Sequence, residues 1–240
     1  MDEQKIATLK QWFDESHRIV FFGGAGVSTE SGIPDFRGVD GLYNQQFAYP
    51  PETIISHTFY QRRPAIFFDF YRKRMLYPHA KPNIAHEKLA AWEAEGKLLA
   101  VITQNIDGLH QMAGSRNVYE LHGSVHRNIC RKCGKTYDLA AFMEMDHIPV
   151  CPVCGGRVKP DVVLYEEALD GYTISGALDA IRRADLLIVA GTSLTVYPAA
   201  AFLDEYPGNR LVLINKTPTP RDDIANLAIH EKLGDVFARL

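Results

Sequence analysis

Apolar positions recur along this chain at two spacings. Ile6, Leu9, Trp12 and Phe13 have helical spacing, and residues 18–22 read as a short buried strand ending in Gly23-Gly24. Ile66, Phe67, Phe70 and Tyr71 form the apolar face of a second helix, which cannot extend past Pro78. Residues 83–95 predict another helix, stopped by Gly96. Apolar runs at 98–102, 186–190 and 211–214 predict buried strands, with others at 118–121 and 162–165, and helical patterns recur near 173–183 and 220–229. Such alternation implies an α/β fold with a parallel sheet covered on both faces. Residues 38–51, with Asp40-Gly41 and Pro50-Pro51, have turn chemistry and no period, so they predict a loop placed to serve as a lid. Residues 124–159, rich in Cys, Gly and basic side chains, interrupt the α/β rhythm as an insert.

The chain's 240 residues give room for one sizeable α/β domain and a small insert. Apolar residues at 46% and charged residues at 23% fit a folded globular protein and exclude a disordered one. A formal charge of -3 gives no general attraction to nucleic acid or to an anionic membrane. No apolar run approaches the ~18 residues of a membrane span. The charged start Met1-Asp2-Glu3-Gln4-Lys5 lacks the apolar core of a secretory signal, so a cytoplasmic protein is expected, with no membrane partner.

All four cysteines fall in Cys130-x-x-Cys133 and Cys151-x-x-Cys154, each with zinc-ligand spacing. Gly134 and Gly155 follow each pair, where a tight turn can aim backbone N–H groups at thiolate sulfur. The alternatives are two disulfides, disfavoured without a secretory signal, or one redox pair, which leaves the other unexplained. Four thiolates leave zinc no open position, so the ion is expected to stabilise the fold rather than act in catalysis. Arg127, Arg131, Lys132, Lys135, Arg157 and Lys159 surround the module and raise the question of a nucleic-acid ribbon. No aromatic stacking platform accompanies them, so they are read as solvated side chains that partly offset the thiolate charge, and nucleic acid is not expected as a partner.

Residues 23–29, Gly-Gly-Ala-Gly-Val-Ser-Thr, follow an apolar strand, where parallel α/β sheets bind phosphates. Thr29 stands where a dinucleotide fingerprint has its third glycine, so a tight turn without a ligand explains the loop equally well. Polar clusters at other strand ends shift the balance: Gln104-Asn105 with Asp107, Gly191-Thr192-Ser193, and Asn215. Any one of these could be a turn or cap; together on one rim they favour a dinucleotide. Among nine histidines, His122 is singled out by its place between a strand end and Gly123.

Gly24-Ala25-Gly26-Val27-Ser28, Gly32-Ile33-Pro34-Asp35-Phe36-Arg37-Gly38, Thr103-Gln104-Asn105-Ile106-Asp107 and Leu121-His122-Gly123 together resemble the signature of the sirtuins, and the cysteines fit as well. The likeness runs from about residue 15 to the C-terminus. It implies a Rossmann-type, doubly wound parallel sheet made of residues 1–37, 83–123 and 160–240, a helical module with cofactor loop at 38–82, and a zinc module at 124–159. It also implies an activity: NAD-dependent removal of acetyl groups from protein lysines, releasing nicotinamide and O-acetyl-ADP-ribose. By that resemblance His122 is the general base and Asn105 orients water and the ribose, while Gln104 contacts the ribose and Ile106 and Asp107 hold the nicotinamide carboxamide. Gly24, Ala25, Gly26, Ser28, Thr29, Asp35, Phe36 and Arg37 surround phosphates and reacting ribose, with Phe36 as a shield against water; Gly191, Thr192, Ser193, Asn215 and Asp235 take the adenosine half. The acetylated peptide adds as a strand between Val163 and Tyr165 on one side and Val196 and Tyr197 on the other.

Two departures from the family pattern carry consequences. The clamp Val163-Leu164-Tyr165-Glu166-Glu167 has Glu166 at a customary glycine, which removes backbone freedom and adds charge. Sirtuins that prefer acidic acyl groups carry Tyr-x-x-Arg before the Lys-Pro-Asn segment; the counterpart here is Phe68-Asp69-Phe70-Tyr71, with Arg72 one residue beyond. Acetyl-lysine is therefore expected over succinyl-lysine. Competing functions are an NAD-dependent ADP-ribosyltransferase, a non-catalytic NAD sensor or zinc adaptor, and a nicotinamide dehydrogenase, the last disfavoured by the missing glycine.

Overall fold

A computed structural model describes residues 2–36, 38 and 41–240. Arg37, expected near the phosphates, lies outside the described residues, as do Val39 and Asp40. The strands are β1 (Ile19–Gly23), β2 (Leu98–Thr103), β3 (Val118–Glu120), β4 (Gly123–Cys130), β5 (Thr136–Tyr137), β6 (Val158–Val162), β7 (Leu186–Ala190), β8 (Leu211–Ile214) and β9 (Leu227–Ile229). The helices are α1 (Glu3–Glu15), α2 (Pro51–Ile54), α3 (His57–Arg62), α4 (Pro64–Arg74), α5 (Ile84–Ala94), α6 (Leu109–Ala113), α7 (Leu139–Met143), α8 (Gly171–Arg183) and α9 (Leu233–Phe237).

Among the described residues, six strands form one sheet in the order β3-β2-β1-β7-β8-β9, and every neighbouring pair is parallel. The order reverses between β1 and β7, which makes that crevice the topological switch point of a doubly wound fold. Side chains alternate along β1: Ile19 and Phe21 face α1, α5 and α9 through Leu9, Trp92 and Phe237, whereas Val20 and Phe22 face α8 and the 3-10 turn Ala199–Glu205 through Ile181 and Phe202. Burial on both faces explains why these strands read as unbroken apolar runs.

A smaller antiparallel sheet, β5-β4-β6, follows His122 directly. Gly123 makes the exit: its φ is +75°, and a Cβ there would lie 2.0 Å from the Asp161 carbonyl oxygen. A third apolar cluster joins Tyr60, Phe67, Phe68 and Tyr71 of the helical module to Val125, Phe142 and Val158 of the insert, so the two inserted segments share one core.

Two expectations differ from the structure. The run at 162–165 is not a strand of the large sheet; Val162 ends β6, and the following residues make isolated bonds to flanking segments. The pattern near 220–229 is not a helix but a 3-10 turn, Asp222–Ile224, followed by β9; a three-residue strand is too short to display its period.

Candidate active site and zinc site

At the switch point the ends of β1 and β7 touch through their backbones. Gly24 N donates to Ala190 O at 3.1 Å and Gly26 N to Gly191 O at 2.8 Å. Gly191 has φ +62°, and a Cβ on it would lie 2.5 Å from Val27 N, so this approach requires glycine. The element that follows is a 3-10 helix, Ala25–Ser31, and Thr29 Oγ1 donates back to Gly26 O at 2.9 Å. At the position of the absent third glycine, a hydroxyl thus closes the turn.

The strand-end residues join in two hydrogen-bonded groups on the same rim. Ser28 Oγ donates to Asp107 Oδ2 at 2.6 Å and accepts from Asn105 Nδ2 at 3.0 Å, while Asp107 Oδ1 accepts from Leu109 N at 3.0 Å. Gln104 Nε2 donates to Thr192 Oγ1 at 3.0 Å, and Asn215 Oδ1 accepts from Thr192 N at 3.0 Å. His122 Nδ1 lies 2.9 Å from the Gln104 carbonyl oxygen. A carbonyl only accepts, so Nδ1 carries the proton and Nε2 is the basic nitrogen. Burial pushes the His122 pKa below its ordinary value, against the opposing pull of that backbone bond.

A single cavity of about 530 Å³ collects Ala25, Gly26, Ser28, Thr29, Asp35, Phe36, Gln104, Asn105, Ile106, Asp107, His122, Gly191, Thr192, Ser193 and Asn215 together with the clamp residues Val163, Tyr165, Val196 and Tyr197. Two expected residues are not on its wall. Gly24 sits behind it, where a Cβ would meet Thr192, and Asp235 is exposed in the first turn of α9. Lys216, Glu231 and Lys232 line that end of the cavity instead. Lys216 was within reach of the strand-end rule, since it follows Asn215 directly; Glu231 and Lys232 carry no sequence signal of this kind. Asn215 Nδ2 is buried and has no hydrogen-bond partner among the described residues, which leaves a donor for a ligand at this end of the cavity.

The segment expected to clamp peptide is bonded directly to His122: Val163 N donates to His122 O at 3.0 Å. Tyr165 N donates to Ile55 O at 3.1 Å and His57 N to Tyr165 O at 3.0 Å. Glu166 occupies the left-handed region at φ 74°, and its carboxylate accepts from Thr58 N at 2.8 Å; hydrogen bonding from the Thr58 side chain first, and its backbone second, holds the Glu166 pKa down. Glu167 accepts from Leu164 N at 2.9 Å and pairs with the buried Lys159 Nζ at 3.0 Å. Tyr71 lines the cavity, but Arg72 is directed elsewhere: its guanidinium donates to the carbonyls of Phe142, Met143, Met145 and Asp146 and stacks 4.8 Å from the Phe142 ring centroid.

The four cysteine sulfurs all lie within 4.8 Å of one another, with Cys130 to Cys154 at 3.4 Å and Cys133 to Cys151 at 3.8 Å. Tetrahedral zinc with Zn–S bonds of about 2.3 Å places sulfurs roughly 3.8 Å apart, so the donor set fits that ion. As expected of a tight turn, a backbone N–H is aimed at sulfur: Lys132 N lies 3.4 Å from Cys130 Sγ. The Gly134 and Gly155 N–H groups themselves go to the Cys130 and Cys151 carbonyls, and each glycine closes its turn at positive φ. The Tyr137 hydroxyl, 3.0 Å from Cys151 Sγ, favours the thiolate and holds that thiol's pKa at about 6. None of these cysteines lines the cavity.

Comparison with known proteins follows the same architecture. Residues 24–198 match the Sir2 family. The NAD-dependent protein deacetylase of Clostridium acetobutylicum is 57% identical over 236 residues, covering 97% of this chain and 96% of the relative. The protein of that name in Clostridium perfringens is 54% identical, covering 99% of each. Among solved structures, Sir2 with deacetylated p53 peptide and 3′-O-acetyl ADP ribose superposes with a TM-score of 0.90 at 37% identity, covering 98% of this chain and 96% of that one. Sir2 with p53 peptide and NAD+ gives 0.86 at 38% identity, with coverage of 98% and 96%.

Proposed function

The chain belongs to the Sir2 family, and from that premise we infer that it is an NAD-dependent protein lysine deacetylase that releases nicotinamide and leaves the acetyl group on ADP-ribose. The observation that carries this reading is the direct bond between Val163 of the clamp and the backbone of His122, whose basic Nε2 belongs to the same cavity as the strand-end rim. Base, cofactor rim and peptide clamp are thereby one unit.

NAD supplies an electrophilic ribose carbon, from which nicotinamide departs and to which the acyl oxygen bonds. This chain's residues do the rest. Ile106 and Asp107 hold the carboxamide, with Ser28 bonded to Asp107 beside the reacting ribose, and Gln104 and Asn105 orient the ribose. His122 Nε2 accepts the proton of a ribose hydroxyl as the acyl group moves. Phe36 keeps water from the reacting carbon. Thr192, Ser193 and the unpartnered Asn215 Nδ2 take the adenosine half, with Lys216 beside them. The peptide adds as a strand between residues 163–165 and 196–197.

Zinc held by Cys130, Cys133, Cys151 and Cys154 is structural, since four thiolates complete its coordination. We assign the large sheet and its helices to cofactor binding and the inserted modules to one wall of the cleft. No helix among the described residues is long and apolar enough to cross a membrane. A cytoplasmic setting without a nucleic-acid partner completes the proposal. It is supported by free cysteines grouped as metal ligands and by a net charge of -3.

Mass spectrometry after incubation with NAD and an acetyl-lysine peptide tests the reaction class. The peptide loses its acetyl mass and ADP-ribose gains it; ADP-ribose found on the peptide instead identifies a transferase.

A further inference from the structure

We infer that Tyr43 is a positioning residue: through its hydroxyl contact with Tyr165 it lets a bound peptide tighten binding in the NAD cleft. This rests on the deacetylase reading above. The two hydroxyl oxygens are 3.0 Å apart. Tyr165 belongs to the peptide clamp, where its backbone is held by Ile55 and His57, and its side chain stays 37% exposed. Tyr43 sits on the 3-10 turn Leu42–Asn44, and it touches Phe36 twice: Tyr43 N donates to Phe36 O at 2.8 Å, and the rings meet edge to face with centroids 5.5 Å apart. All three aromatic residues line the same cavity. A continuous physical path therefore runs from the peptide-facing strand to the ring assigned to shield the reacting ribose carbon.

The path has a thermodynamic consequence. A peptide added as a strand along residues 163–165 fixes the rotamer of Tyr165, whose backbone is already held by Ile55 and His57. Its hydroxyl then becomes a fixed partner for Tyr43, whose backbone bond and ring contact restrict Phe36 in turn. Ordering completed by the first ligand is not repeated for the second, so the two bind cooperatively, and the effect is reciprocal. Both hydroxyls are needed for this contact, and phenylalanine at either position keeps the ring while removing the oxygen–oxygen bond.

Calorimetric titration with ADP-ribose, which does not react, tests this in the parent protein, Tyr43→Phe, Tyr165→Phe and the double variant, each with and without saturating acetyl-lysine peptide. Peptide is expected to tighten ADP-ribose binding in the parent. That tightening factor should shrink about 5-fold in each single variant, the size of one net hydrogen bond, and no further in the double variant. A purely structural role would weaken ADP-ribose equally with and without peptide, leaving the factor unchanged, and that result overturns the inference. So do losses that add in the double variant, or a parent in which peptide has no effect on ADP-ribose affinity. Failure of the parent to bind either ligand is a separate outcome: it sinks the deacetylase reading and this inference with it.

Discussion

His122 Nδ1 donates to the main-chain oxygen of Gln104 across 2.9 Å, so the tautomer of the proposed base is fixed by backbone rather than by a neighbouring side chain. Replacing the Gln104 side chain should leave that tautomer intact, whereas His122→Ala should lower kcat by about 10²–10⁴-fold, the usual contribution of a general base. Steady-state rates of His122→Ala and Gln104→Ala, compared at saturating NAD and peptide, check the difference.

The same burial sets the pH dependence. A base works deprotonated, and burial lowers the His122 pKa, so the residue stays competent below its ordinary value of about 6.5. The acid limb of kcat/KM against pH should have its midpoint under 6.5; a midpoint above it contradicts the assignment.

A buried pair of histidines makes stability depend on pH as well. His86 and His110 have ring centroids 4.7 Å apart, and burial holds their pKa values at about 4 and about 3. Unfolded histidine takes up a proton below about 6.5, whereas these two do so only near 4 and 3. The unfolded state therefore binds more protons across that window. Stability is fully present above pH 6.5 and declines as pH falls towards the folded values, by up to about 1.4 kcal/mol per pH unit for each group. Thermal melts should show that decline, and His110→Phe should flatten it whatever its effect on the absolute Tm.

Cys130 and Cys151 belong to the same apolar cluster as Phe67 and Tyr71, so loss of zinc should loosen the cleft wall as well as the insert. Structural zinc contributes about 10–16 kcal/mol of apparent binding energy in small peptides. Even a fraction of that, at roughly 2–4 °C per kcal/mol for a chain of this size, gives a clear fall in Tm. Chelation or Cys151→Ser should lower Tm and deacetylation together; unchanged melting after metal removal would exclude a structural ion.

Arg72 spends its guanidinium on the carbonyls at 142–146 and cannot also meet an acyl carboxylate. Acetyl-lysine peptide should therefore give a higher kcat/KM than the matched succinyl-lysine peptide, and the reverse order would contradict this reading.

Much of this arrangement was legible in the residue order. The buried parallel strands declared themselves as apolar runs, and the rim followed because polar residues appear where each run stops, as at Gln104-Asn105 and Gly191-Thr192-Ser193. The four cysteines fixed their own grouping by spacing. Other features depend on contacts between distant segments. Adjacent helical positions lie about 100° apart, so Tyr71 can face the cavity while Arg72 faces α7, and sequence alone does not say which turns inward. Val163 reads like a strand residue whether its partner is a sheet or the single carbonyl of His122. Tyr43 and Tyr165 are joined only by the folding of a loop onto the clamp, which no periodicity records.

Deacetylation here requires one cleft that brings the glycosidic bond of NAD against an acylated lysine beside His122. The decisive measurement is the quantity of nicotinamide, deacetylated peptide and acetyl-ADP-ribose formed in one reaction. Equal amounts of all three are expected, each dependent on both NAD and peptide. Peptide left acetylated at saturating NAD by zinc-replete protein, or nicotinamide released without matching deacetylation, would contradict it.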